Sequence, residues 1–113
     1  MFYTLDEESE LIKMEYITIT GAKHQYGMEV FRVKQILYLE KDLTNEYDDE
    51  AIKVMSDSGV IYGYVANSVH TVARGTKSAG RIYDKFENQC KAEVCFITGN
   101  SIIAKLLDDV KKV

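Results

Sequence analysis

The sequence predicts a mainly β domain with two helices, an α+β chain whose five or six strands close into a small barrel. Three observations lead there. Short stretches at 16–20, 30–39, 51–55, 60–65 and 91–97 alternate apolar and polar residues, and each leaves one apolar face that a closed sheet would bury. The 113 residues are 46% hydrophobic, enough to fill one core and too few for two. There is no proline and no Gly/Ser-rich or charged linker, so nothing marks an internal boundary, a repeat or a low-complexity segment.

Taken in order, residues 1–15 read as an acidic extension, in which Asp6 to Lys13 fits either a short helix or a loosely held tail. The barrel domain then spans 16–113. Tyr16 to Thr20 places Ile17 and Ile19 on one face and is rich in β-formers, so it is the expected first strand, ending at Gly21. Met28 to Leu39 is long enough for a bent strand, and the shift of apolar parity between Val33 and Ile36 suggests a β-bulge. Ala51 to Met55 and Val60 to Val65 form the central hairpin, turning at Asp57 to Gly59. Gly63 removes a side chain from the second of these strands, where something must come close.

After the hairpin, Asn67 or Ser68 is a good helix cap, Val69, Val72 and Ala73 have helical spacing, and Gly75 ends the helix. Residues 76–88 are polar and irregular, with a short element over Arg81 to Phe86. Lys91 to Ile97 alternates, with Ala92, Val94 and Phe96 expected inward. Gly99 and Asn100 turn the chain, and Ser101 caps a closing helix with an apolar stripe of Ile102, Ile103, Leu106, Leu107 and Val110.

Charge narrows the function. The net charge of −4 argues against coating nucleic acid through bulk electrostatics. Residues 1–15, however, hold five acids and one base, so the other 98 residues are neutral with 13 of each. Within them Arg74, Lys77, Arg81, Lys85 and Lys91 face only Asp84 and Glu87, while Glu40, Asp42, Glu46, Asp48, Asp49 and Glu50 face only Lys41. The charges are segregated along the chain. The early acids exclude a signal peptide's basic start and apolar run, and no stretch approaches the roughly 20 apolar residues of a membrane span. Cys90 and Cys95 are five apart on one expected strand and so face opposite sides, which points to a reducing cytoplasm.

Enzymatic and metal chemistry find little to build on. The acid-rich 42–50 loop lacks the sixth-position glycine and regular oxygen spacing of a calcium loop. His24, His70, Cys90 and Cys95 are not paired at zinc-ligand spacing. No phosphate-binding glycine loop precedes a helix, and no nucleophile with its base is evident. No cofactor, metal or catalytic group is expected.

The pattern Asn45-x-Tyr47-Asp48-x-x-Ala51-Ile52-x-Val54, followed by Gly59 and then Gly63-Tyr64-Val65, resembles the HIRAN domain. That family is a modified OB-like β-barrel, found at the front of some DNA-repair remodelling ATPases and as free-standing bacterial and phage proteins. The resemblance covers roughly residues 16–107 and implies a nucleic-acid-binding module. Lys23 and His24, in the loop between Gly21 and Gly27, fall where such domains carry a basic residue that grips a phosphate and an aromatic that stacks a base. Tyr47 and Asp48 match a pair that stacks a terminal nucleotide of single-stranded DNA and accepts a hydrogen bond from its 3′ hydroxyl. Tyr64 and Asn67 match positions beside the same pocket. All six would meet on one concave patch.

Two readings of Tyr47 and Asp48 remain open at this level. In one, Asp48 holds the turn and the Tyr47 ring packs on the barrel; in the other, the pair is the 3′-end pocket. They correspond to a protein-interaction or inhibitory module of a phage-type system with a protein partner, and to a single-stranded DNA-binding module.

Overall fold

The computed structural model describes residues 14–107, so the Asp6 to Lys13 stretch and Val110 lie outside the described residues. Six strands form a closed antiparallel barrel: β1 (Tyr16–Thr20), β2 (Ile36–Lys41), β3 (Ile52–Met55), β4 (Ile61–Val65), β5 (Gln89–Ile97) and β6 (Ile102–Leu106). Around the barrel the order is β1-β4-β3-β2-β5-β6, with β6 returning to β1. One four-residue helix, α1 (Ala79–Ile82), lies between β4 and β5. No helix among the described residues is long and apolar enough to cross a membrane.

The alternating stretches build this barrel as their parity requires. Ile17, Ile19, Leu37, Leu39, Ile52, Val54, Val94 and Ile102 are at most 1% exposed and meet in one core. Full burial of each such side chain is worth about 1.5–3 kcal/mol. The β3–β4 hairpin turns where expected, with Gly59 at φ 88° and the Ser56 hydroxyl oxygen accepting the Val60 N–H at 3.1 Å. Opposite Met55 the pairing slips by one residue, which leaves Tyr62 as the extra residue of a bulge beside Gly63, its ring edge-on to Phe31.

Five expectations are corrected. Met28 to Leu39 is not one bent strand: Met28–Val30 is a 3-10 turn, Lys34 has a left-handed φ of 75°, and β2 starts only at Ile36. The parity shift marks a turn, pinned by Gln35, whose Oε1 accepts the Arg32 N–H at 2.9 Å and whose Nε2 donates to the Val30 carbonyl at 3.0 Å. The segment after Asn67 is a pair of turns rather than a helix, with Val69 90% exposed. Thr18 takes its backbone instead: the Thr18 hydroxyl accepts the Ala73 N–H at 3.0 Å and bonds the Thr76 hydroxyl at 2.7 Å. This lid explains why Thr18 is buried although it points away from Ile17 and Ile19. The short element of the 81–86 region begins two residues early, as α1 and a following 3-10 turn at Tyr83–Lys85.

Among the described residues Ser101 caps no helix, and Ile102–Leu106 is instead the strand that closes the barrel. It pairs Ile17 with Ala104 on one side and Val94 with Ala104 on the other. The β1 and β5 edges would otherwise expose unpaired N–H and C=O groups, and the run of Ile102, Ile103 and Ala104 satisfies them at no cost to the core. The same pairing moves Phe96. A register shift between Val94 and Phe96 turns that ring outward, leaving it 61% exposed although Ala92 and Val94 point inward as expected. Cys90 is buried, Cys95 is half-buried, and the two form no disulfide.

Candidate nucleic-acid interface

The β2–β3 loop is shaped by three Asx side chains spaced three apart, each catching backbone just ahead of it. Asp42 Oδ1 accepts the Thr44 N–H at 3.3 Å and the Thr44 hydroxyl at 3.1 Å. Asn45 Oδ1 accepts the N–H groups of Tyr47 and Asp48 at 2.8 and 3.0 Å, and Asp48 Oδ1 accepts the Glu50 N–H at 2.9 Å. The loop is therefore fixed by local bonds while its Tyr47 ring, 95% exposed, stands clear of the barrel.

Asn67, just past β4, ties this loop to α1. Its Nδ2 donates to Asp48 Oδ2 at 3.0 Å, Asp48 Oδ1 at 3.2 Å and Glu50 Oε1 at 3.2 Å, and its Oδ1 accepts the Gly80 N–H at 2.9 Å. The orientation of the amide follows, since only its nitrogen can face two carboxylates. A Cβ at Gly80 would meet the Glu50 carboxylate, which would have to swing aside.

These bonds shape a hollow of about 480 Å³ lined by Tyr47, Asp48, Tyr64 and Asn67 together with Thr20, Asn45 and Ser68 among others. Four of the six expected residues thus come together from two loops and a strand. Lys23 and His24 do not line it. They are exposed on a 3-10 turn (Ala22–His24) that leaves β1 through Gly21, φ 80°, directly after the rim residue Thr20. Asn45 and Glu50, which set the loop and share the Asn67 amide, were not singled out from the sequence as site residues; the Asx spacing at 42, 45 and 48 was the available signal.

The Tyr64 hydroxyl donates to Asp42 Oδ2 at 3.4 Å, fastening the wall of the hollow to the loop. Burial alone would raise the Asp42 carboxyl. Hydrogen bonds from the Thr44 hydroxyl, the Asn45 amide and the Thr44 N–H, with the Lys53 charge, hold it below its ordinary value. Tyr64 is raised above the usual phenol value, first by burial and then by the Asp42 charge and hydrogen bond, against the pull of Lys53. A depressed carboxylate stabilises the fold above its unfolded pKa of about 4, and that contribution is lost as pH falls through the folded value. Asp42→Asn is therefore expected to be less stable than wild type in urea unfolding at neutral pH, with the gap closing below about pH 4. A gap that stays constant across that range would show that Asp42 acts through shape alone.

Fold and hollow together define a class: a one-barrel domain that presents a hollow carrying a carboxylate, an amide and two tyrosine rings, one of them exposed. The chain belongs to the HIRAN domain family, whose sequence profile matches residues 12–100. The crystal structure of the HIRAN domain of human HLTF superposes with a TM-score of 0.61 at 16% identity, over 88% of this chain and 80% of that one. A protein from Lactobacillus plantarum superposes with a TM-score of 0.58 at 17% identity, over 81% of this chain and 88% of its own. At these identities the likeness is one of fold. Comparison with curated protein sequences gives no match.

Proposed function

We propose that this chain binds single-stranded DNA and seats the strand's 3′-terminal nucleotide in the hollow of Tyr47, Asp48, Tyr64 and Asn67. It acts by binding rather than by catalysis, and needs no cofactor. The observation that carries this reading is the Tyr47 ring, 95% exposed on a loop whose backbone N–H groups at Tyr47, Asp48 and Glu50 are held by side chains. A ring kept for packing would be covered, whereas a rigid exposed ring is a stacking platform for a base.

Asp48 supplies the other half. Its Oδ1 takes both the Glu50 N–H and the Asn67 amide, but among the described residues Oδ2 accepts from Asn67 alone, so a lone pair remains for a hydroxyl donor. The Asp48 carboxylate lines the hollow and Glu50 adds a second negative charge nearby on the same amide, so a continuing phosphate would be repelled. Lys23 and His24, on the turn after Thr20, are assigned the neighbouring phosphate and a second stacking contact. A cytoplasmic setting and a part in DNA repair belong to the same reading.

The test needs only the wild-type chain and two strands of one sequence. A strand ending in a 3′ hydroxyl should bind tighter than its 3′-phosphorylated form by about 1–3 kcal/mol, the range for a hydrogen bond to a charged group. Lys23→Ala should weaken both alike and lower the salt slope by about 0.7, the value for one phosphate contact in a single strand. Equal affinity for the two strands removes end recognition; no binding to either at low salt turns the reading to a protein-interaction module.

A further inference from the structure

A second hollow, of about 460 Å³, adjoins the first and shares Asn67 and Ser68 with it. The two are opposite in charge. The first has Asp48 in its lining and no cation, while the second has Arg74 and Arg81 and no acid. Ser78 adds a hydroxyl to the lining, the Thr76 hydroxyl being held by the Ala73 carbonyl and Thr18, and both guanidinium-bearing residues are exposed. Among the described residues neither arginine takes part in an ion pair; the three ion pairs there use Lys53, Lys85 and Lys105.

The backbone that carries them is anchored. Arg74 follows Ala73, whose N–H is held by Thr18, and precedes Gly75 at φ 87° and Thr76, whose hydroxyl also reaches Thr18. Arg81 sits in α1 between Ala79 and Ile82, both fully buried, and the Ala79 N–H is bonded to the Ala66 carbonyl at 3.0 Å. Two unpaired forks on a fixed backbone, beside the Ser78 hydroxyl, suit phosphodiester oxygens, which accept hydrogen bonds and carry negative charge.

We infer that the Arg74/Arg81 hollow is a backbone-binding groove that receives the body of a single strand as it leaves the Asp48 hollow across Asn67 and Ser68. The inference rests on the proposed seating of the 3′ end. It adds a direction: the terminal hydroxyl lies at the acidic end of the trough, and successive phosphates run toward the cationic end.

Oligothymidylates with a 3′ hydroxyl, from a dinucleotide upward, titrated against the full chain by fluorescence anisotropy, give the test. Wild type should gain affinity with length. Arg74→Ser/Arg81→Ser should abolish that gain, lower the salt slope for long strands by about 1.4, at about 0.7 per phosphate contact, and leave the dinucleotide unchanged. Arg32→Ser/Lys34→Asn, which removes the same charge elsewhere, should change neither. The groove is overturned if the arginine pair keeps the length gain, if the control pair loses it equally, if wild type gains nothing with length, or if polyglutamate displaces long strands as well as oligothymidylate does. A lost length gain in a protein that treats 3′-hydroxyl and 3′-phosphate strands alike would instead overturn the end pocket and leave the groove standing as a general single-strand site.

Discussion

Tyr47→Ala is expected to weaken binding of a 3′-hydroxyl single strand by about 1–3 kcal/mol, the worth of one base stacked on a ring. Thermal unfolding should not move beyond the roughly 0.5 kcal/mol typical of surface changes. The separation of the two effects follows from the geometry. The ring is 95% exposed, and the loop is held by the Tyr47 backbone N–H on Asn45, which alanine keeps. Tyr47→Phe should retain the affinity, because stacking needs the π-face and not the hydroxyl. Anisotropy titration beside calorimetry reads both quantities, and an alanine variant that binds as well as wild type would remove Tyr47 from the interface. Asp48 gives a less clean variant, since its carboxylate also holds Glu50 and Asn67 and its removal loosens the loop itself.

Gly63→Ala should unfold more easily than wild type by about 1–3 kcal/mol, the usual cost of overpacking. For a domain of this size that is a fall in Tm of about 4–8 °C per kcal/mol. A Cβ at Gly63 would stand 2.7 Å from the Thr20 carbonyl oxygen and 3.1 Å from Ile19 Cγ2. The first of these is backbone and cannot swing away, so β1 and β4 must part where Thr20 pairs with Tyr64. Both partners line the Asp48 hollow, and strand binding should weaken along with stability. Gly99→Ala is the control, since nothing lies within 4 Å of a Cβ there. Equal unfolding midpoints for the two variants would show that the β1–β4 contact can relax.

The expected patch was legible in part because its signals are local. Asn45, Tyr47 and Asp48 lie within four residues and carry the Asx chemistry that shapes their own loop. What Asn67 does with them was not legible. It reaches Asp48 across 19 positions of chain and Gly80 across 13, and no local rule joins those segments. The arginine hollow escaped for the same reason, since the sequence shows Arg74 and Arg81 only as members of a basic stretch.

By itself the sequence determined the strands whose parity is unambiguous, β1, β3, β4 and most of β5, along with the Gly59 turn and the family pattern, because β-branched alternation and turn chemistry act over a few residues. Only the tertiary structure decided the rest. Ile102 to Leu107 fits a helical stripe and a strand face about equally, and it became β6 because β1 and β5 each needed a partner to satisfy their backbone groups. The segment after Asn67 has helical spacing, yet Thr18 and the uncovered outer face of β1 drew its backbone into turns. Where a stretch satisfies two periodicities, the unpaired hydrogen-bonding groups of its neighbours choose between them.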